Sequence, residues 1–172
     1  MNSWFKKLST NITYTFQYPI DLKITKVFID FCDLETEEYL GRIRIKLNED
    51  IKSYSSMRNF LSLIQGSLGS SYKGVDFQRG GNPYGGDIDP VILPSKDENR
   101  FVDEWESDLG DIIQLNPMDD DGLYSEIMIV FGKCSLTEPK LGSIIESDLK
   151  FIKDLESKNP LLKVFDCGII VN

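Results

Sequence analysis

The sequence predicts an all-β barrel or sandwich capped by helices. Three observations carry that expectation. Several short runs alternate apolar with polar residues. Two isolated segments switch to helical spacing. The length, 172 residues, suits one domain with a substantial core and little left over.

The first strand is expected in NITYTFQYPI. Ile12, Tyr14, Phe16 and Tyr18 alternate with Thr13, Thr15 and Gln17, a period of two that gives an extended segment one buried face. Pro19 marks an edge or an end. VFIDFC (27–32) and LGRIRIKL (40–47) are expected partners, with the turn in ETEEYLG. In the second, Ile43, Ile45 and Leu47 alternate with Arg42, Arg44 and Lys46. Over 53–65 the period changes: Met57, Phe60, Leu61 and Ile64 share a helical face, and Gly66 stands as the stop. A second helix is expected over 144–156. Ser143 and Glu146 have capping-box spacing, and Ile145, Leu149 and Ile152 fall on one face. IMIVFGKC and LKVFDCGIIV read as further buried strands. Residues 80–111 are rich in Gly, Pro and acids and read mostly as loop.

Composition narrows the function classes. The net charge of −9 argues against nucleic acid, which requires a basic footprint, and leaves a protein partner as the simpler choice. No apolar run approaches the roughly 18 residues of a membrane span. MNSWFKKLST has lysines but no apolar stretch after them, so no secretory signal is read and an intracellular location, cytoplasmic or nuclear, is expected. The three cysteines, Cys32, Cys134 and Cys167, form no CxxC pair and are expected to be buried, reduced thiols. Asn11-Ile12-Thr13 matches a glycosylation sequon by chance in that setting.

Most catalytic signatures are missing. The chain has no histidine, which excludes Ser-His-Asp and Cys-His nucleophiles. No phosphate-cradling glycine motif occurs. Asp119-Asp120-Asp121-Gly122 resembles a calcium loop only briefly, because Pro117 and Met128 would fall at its first and twelfth positions. No metal site and no cofactor are expected. The acidic run DEWESDLGD (103–111) remains a candidate for a cation or a basic peptide.

The order of blocks then becomes informative. VFIDF, LGRIRIKL, a helix containing RNFLSL, YKGVDFQR, GGD, VFGK and DCG follow one another as in the cyclophilins, and the chain resembles that family over about residues 24–170. The resemblance implies an eight-stranded antiparallel barrel capped by two α-helices over 24–172. Residues 1–23 would be an N-terminal extension carrying an extra strand or a partner-binding segment, through Ile12, Tyr14, Phe16 and Tyr18. It also implies peptidyl-prolyl cis-trans isomerase chemistry. Rotation about an imide bond faces a barrier of about 18–20 kcal/mol, mostly lost resonance, and needs neither nucleophile nor proton transfer. A donor to the proline nitrogen strengthens as that nitrogen pyramidalises. In the family an arginine is that donor, and Arg79 matches it.

The matching block departs from the family around Arg79. The usual F-H-R is Phe77-Gln78-Arg79. The apolar segment that follows is shortened to Gly80-Gly81-Asn82-Pro83-Tyr84, with Tyr84 where a glutamine would stand. Ile113-Gln114-Leu115-Asn116 overlies the family's M-A-N segment, putting Leu115 and Asn116 in substrate-facing places. SEIMIVFGKC runs directly into the V-F-G block, so the second pocket phenylalanine, the tryptophan and the histidine have no counterpart, and Trp105 lies in another block. The expected function is therefore a non-catalytic protein-interaction module, a subunit or adaptor binding a protein or a proline-containing peptide, with self-association through the N-terminal segment as a further option. The alternative is a low-activity isomerase using Arg79 with altered preference. Arg79 is the residual catalytic candidate; Phe77, Gln78, Tyr84, Leu115 and Asn116 are the binding candidates.

Overall fold

A computed structural model describes residues 24–51, 55–67, 69, 71–79, 84–86, 104–114, 126–158 and 160–171. The strand expected over 12–18 lies outside these residues.

The chain is mostly β with two helices. Strands β1 (Lys26–Asp33) and β2 (Tyr39–Leu47) form the first hairpin. Helix α1 (Ser55–Gln65) follows, then β3 (Asp76–Arg79), β4 (Tyr84–Gly86), β5 (Trp105–Glu106), β6 (Asp111–Gln114), β7 (Ile127–Ile129), β8 (Ser135–Leu136) and β9 (Lys140–Ile144). Helix α2 (Leu149–Lys158) and β10 (Leu162–Ile169) complete it. The main sheet is antiparallel and runs β1-β10-β3-β4-β7-β6-β9-β2, and β2 pairs in turn with β1, so the sheet curls back on itself. β5 and β8 pair separately as a small side ribbon.

The hairpin follows the alternation in the sequence. Val27, Ile29 and Phe31 on β1 and Ile43, Ile45 and Leu47 on β2 are buried in one core. The Asp33 carboxylate accepts from the amides of Glu35 and Thr36, at 2.9 and 2.8 Å, and fixes the turn between the strands. Such side-chain-to-backbone bonds favour a turn over continued strand. On the outer face, Asp30 is buried beneath Arg42, whose Nε and Nη2 reach its two oxygens at 2.7 and 2.8 Å.

Helix α1 ends as the sequence suggests. Gly66 takes φ +65°, a left-handed conformation that costs glycine little. The Ser67 amide bonds back to the Ser62 carbonyl at 3.1 Å, closing a Schellman cap. Met57, Phe60, Leu61 and Ile64 enter the core, as do Ile152 and Leu155 of α2. Gly41 makes room for α2 on β2, since an added Cβ would lie 2.7 Å from the Phe151 ring.

The second helix begins later than its capping-box spacing suggests. Ser143 belongs to β9, and its hydroxyl donates to Asp111 Oδ1 at 2.8 Å rather than capping a helix. Ile145 is extended, Glu146–Asp148 form a 3-10 turn, and Leu149 opens α2. The cause is tertiary. The buried Asp148 carboxylate accepts from the backbone amide, Nε and Nη2 of Arg44 at 2.8, 2.9 and 2.6 Å, which ties the turn to β2.

Within the stretch read mostly as loop, 80–111, the described residues include short strands at Tyr84–Gly86 and Trp105–Glu106. One further expectation is corrected. IMIVFGKC leaves the sheet after Ile129. In consequence Cys134 is exposed; Cys167, on β10, is half-buried, and only Cys32 is fully buried, all three being free thiols.

Candidate functional site

The segment YKGVDFQR is built around a tight turn. Tyr72 is wholly buried against Phe60 of α1, with ring centroids 5.9 Å apart. Burial pushes its hydroxyl well above the usual tyrosine range. Gly74 takes φ +85°, and the Val75 amide closes the turn on the Tyr72 carbonyl at 3.1 Å. The Gly74 amide then bonds Val164 O and the Val164 amide bonds Val75 O, at 2.8 and 2.9 Å, which lays the following residues along β10 as β3. Tyrosine and glycine in this motif therefore set the angle at which the arginine-bearing strand leaves α1.

On β3, Phe77 is a core residue. It is 2% exposed and meets Phe31 edge-to-face at 5.3 Å. It holds the strand from behind and presents no surface. Gln78 and Arg79 lie on the same strand by backbone position. The register pairs Arg79 with Tyr84, Gln78 with Gly85 and Phe77 with Gly86. Two candidates separated in sequence by 80–83 are thus direct neighbours across β3 and β4. Leu115 and Asn116 lie outside the described residues, as do Ile12, Tyr14, Phe16 and Tyr18.

Three rows continue across the sheet. Tyr84 pairs with Ile129, which pairs with Ile112. Gly86 pairs with Ile127, which pairs with Gln114. Gly85 pairs with Met128, which pairs with Ile113. Ile127 and Ile129 are committed to the core, whereas Met128 is half-buried on the other face. The alternation Ile127-Met128-Ile129 puts Met128 in the row of Gln78, Gly85 and Ile113, on the face opposite to Ile127 and Ile129.

The acidic run has a structural account. Asp111 is buried, and its Oδ1 accepts from Lys140 Nζ and Ser143 Oγ at 2.8 Å each. Its Oδ2 accepts from the Asp108 amide at 2.9 Å. The buried Ser107 hydroxyl donates towards Gly132 O at 3.0 Å and accepts from the Cys134 amide at 3.1 Å. Gly110 N and Val130 N exchange bonds with Val130 O and Asp111 O, at 2.8 Å each. The run therefore clamps the VFGKC segment beside the sheet. Trp105 on the side ribbon donates to Glu138 O at 3.0 Å and lies under Lys140 Nζ, 5.3 Å from the ring centre. Among the described residues, no group of three or more His, Cys, Asp or Glu side chains is placed to hold a metal ion. No helix among them is long and apolar enough to cross a membrane.

No protein-family model matches the chain, and no curated protein sequence matches it. Among solved structures it is similar to the crystal structure of the Mimivirus cyclophilin. The TM-score is 0.60 and the identity 18%, over 86% of this chain and 89% of that one. The likeness is one of fold: the chain has a cyclophilin-like β-barrel fold.

Proposed function

We propose that this chain is a non-catalytic cyclophilin-like module that binds protein, as a subunit or adaptor of an intracellular complex in the cytoplasm or nucleus. In this reading the curled sheet is the family's eight-stranded barrel over 24–172, and 1–23 is an appended extension carrying an extra strand or a partner-binding segment. The observation that carries the reading is the strand beside Arg79. Only residues 80–83 separate β3 from β4, and β4 consists of Tyr84, Gly85 and Gly86. It can offer one side chain to a proline pocket. An apolar wall residue contributes roughly 1.5–3 kcal/mol when buried. Loss of two or three such walls removes most substrate binding and the alignment that a transition-state donor needs. No cofactor is required, and the ligand class is a protein or a proline-containing peptide.

The test is NMR exchange spectroscopy on a panel of Xaa-Pro peptides. The expected result is exchange at the uncatalysed rate across the panel. Acceleration that disappears in Arg79→Ala would overturn the proposal. One observation favours the second reading, a low-activity isomerase with altered preference: Tyr84 is the register partner of Arg79 and could rebuild one wall. That reading requires measurable exchange lost in Arg79→Ala and weakened in Tyr84→Ala, and a silent panel removes it.

A further inference from the structure

The outer face of β1, β2 and β10 carries exposed aromatics between two ends of opposite charge. Tyr39 is 53% and Phe165 51% exposed, and their rings meet edge-to-face at 6.0 Å. Beside them the Arg42 guanidinium lies 3.9 Å from the centre of the Phe28 ring. That ring lies down over Gly168, where an added Cβ would come within 2.9 Å of it. Aromatic side chains and arginine clustered on one face are the composition of an interface core.

The charges are sorted along the strands. At the hairpin turn Glu35, Glu37 and Glu38 are exposed. Lys163 pairs with Glu37 at 3.2 Å, which leaves Glu35 and Glu38 without a cation among the described residues. At the far end Lys26 and Lys46 stand opposite each other in register, an arrangement of like charges that costs a sheet stability. Neither lysine forms an ion pair among the described residues. Between the ends the charges cancel, because Arg42 holds Asp30 and Arg44 holds Asp148. Glu49 and Asp50 follow β2 in a 3-10 turn that Asn48 ties to β9, on the side of β2 away from β1.

We propose that two copies of this chain pair through this face about a two-fold axis, with the acidic turn of each over the lysine end of the other. The axis passes beside the row Arg42–Asp30–Asp166. That row lies about 10 Å along β2 from Tyr39 and about 13 Å from Lys46, so it is near the middle of the face. A half-turn about it makes the acid-to-lysine match twice. It also sets Tyr39 of one copy near the Phe28–Arg42 pair of the other and brings the two Phe165 rings together close to the axis. An isologous contact requires a self-complementary patch, and a face with opposite charges at its two ends meets that requirement. A chain of net charge −9 repels its own copy wherever such a match is lacking. The face lies on other strands than Arg79 and Tyr84, and the pairing does not depend on the binding role proposed above.

The test is sedimentation velocity on the full-length chain from low micromolar to millimolar concentration. The expected result is a monomer–dimer equilibrium that weakens roughly tenfold or more in Phe165→Ser, a surface change that leaves the core untouched. Glu35→Lys/Glu38→Lys and Lys26→Glu/Lys46→Glu should each weaken self-pairing several-fold at low ionic strength, an effect that shrinks in 1 M salt, where screening acts over about 3 Å. The first of these does so although it lowers the net negative charge. Mixed together, the two reversed variants should pair with each other, because every turn then meets an end of opposite charge. A monomer at every concentration, an oligomer indifferent to Phe165→Ser, a turn reversal that strengthens association, or reversed variants that stay apart when mixed would each overturn the proposal.

Discussion

Replacing Phe77 by alanine tests how the arginine-bearing strand is held. The ring is 2% exposed and packs edge-on against Phe31 at 5.3 Å. Buried Phe→Ala changes cost about 3–5 kcal/mol, with the edge-to-face contact contributing roughly 0.5–1.5 of it. Strand β3 spans only Asp76–Arg79, so few other side chains anchor it, and a cost near 4 kcal/mol is expected. Domains are stable by about 5–15 kcal/mol in total. A chain of this size loses roughly 2–4 °C of melting temperature per kcal/mol, giving a fall of about 8–16 °C. Phe77→Leu keeps most of the volume and should cost less than about 1.5 kcal/mol. Urea titration is the assay, read as a lower midpoint at unchanged slope. The reasoning fails if Phe77→Ala lies within about 1 kcal/mol of the parent, or if leucine proves as costly as alanine.

Asp148 should contribute to acid stability. The Arg44 guanidinium, followed by the Arg44 amide and Ser147 hydroxyl, holds its carboxyl below the usual range against the opposing effect of burial. A folded value below the unfolded one, about 3.9, stabilises above that pH and is lost as pH falls through the folded value. Asp148→Asn should therefore be less stable than the parent at neutral pH, with the gap closing in acid; a gap constant from pH 7 to 2 would refute the assignment. Thiol alkylation of the native protein should modify the exposed Cys134 first. Burial raises the thiols of Cys32 and Cys167, and they should react fully only on unfolding. Persistence of the fast phase in Cys134→Ser would contradict this order.

Where local pattern and tertiary demand agree, the fold was legible. The β2 alternation and the Gly66 stop needed no long-range information. The start of α2 did, because Ser143 and Glu146 imitate a cap while Asp111 and Arg44, remote in sequence, claim Ser143 and Asp148. The exposure of Cys134 has a similar cause: its apolar run leaves the sheet at Val130, held there by Asp111. The buried Asp30 is intelligible only once Arg42 is seen across the hairpin. At the candidate site, the motif located Arg79 and the pairing of β3 with β4 supplied its neighbour Tyr84. Phe77 shares the motif that points to binding, yet its side chain belongs to the core. Leu115 and Asn116 fall outside the described residues.

The seam between β1 and β10 has a consequence for biosynthesis. Cys32 and Lys163 meet across it, 131 residues apart. A chain emerging from the ribosome makes the β1–β2 hairpin early, yet its outer flank waits for the last strand to appear. Until then a hydrogen-bonding rim stays open, the kind of template on which nascent chains associate wrongly. Ribosome-stalled chains ending near residue 160 should consequently depend on holdase chaperones, and release of β10 should end that dependence.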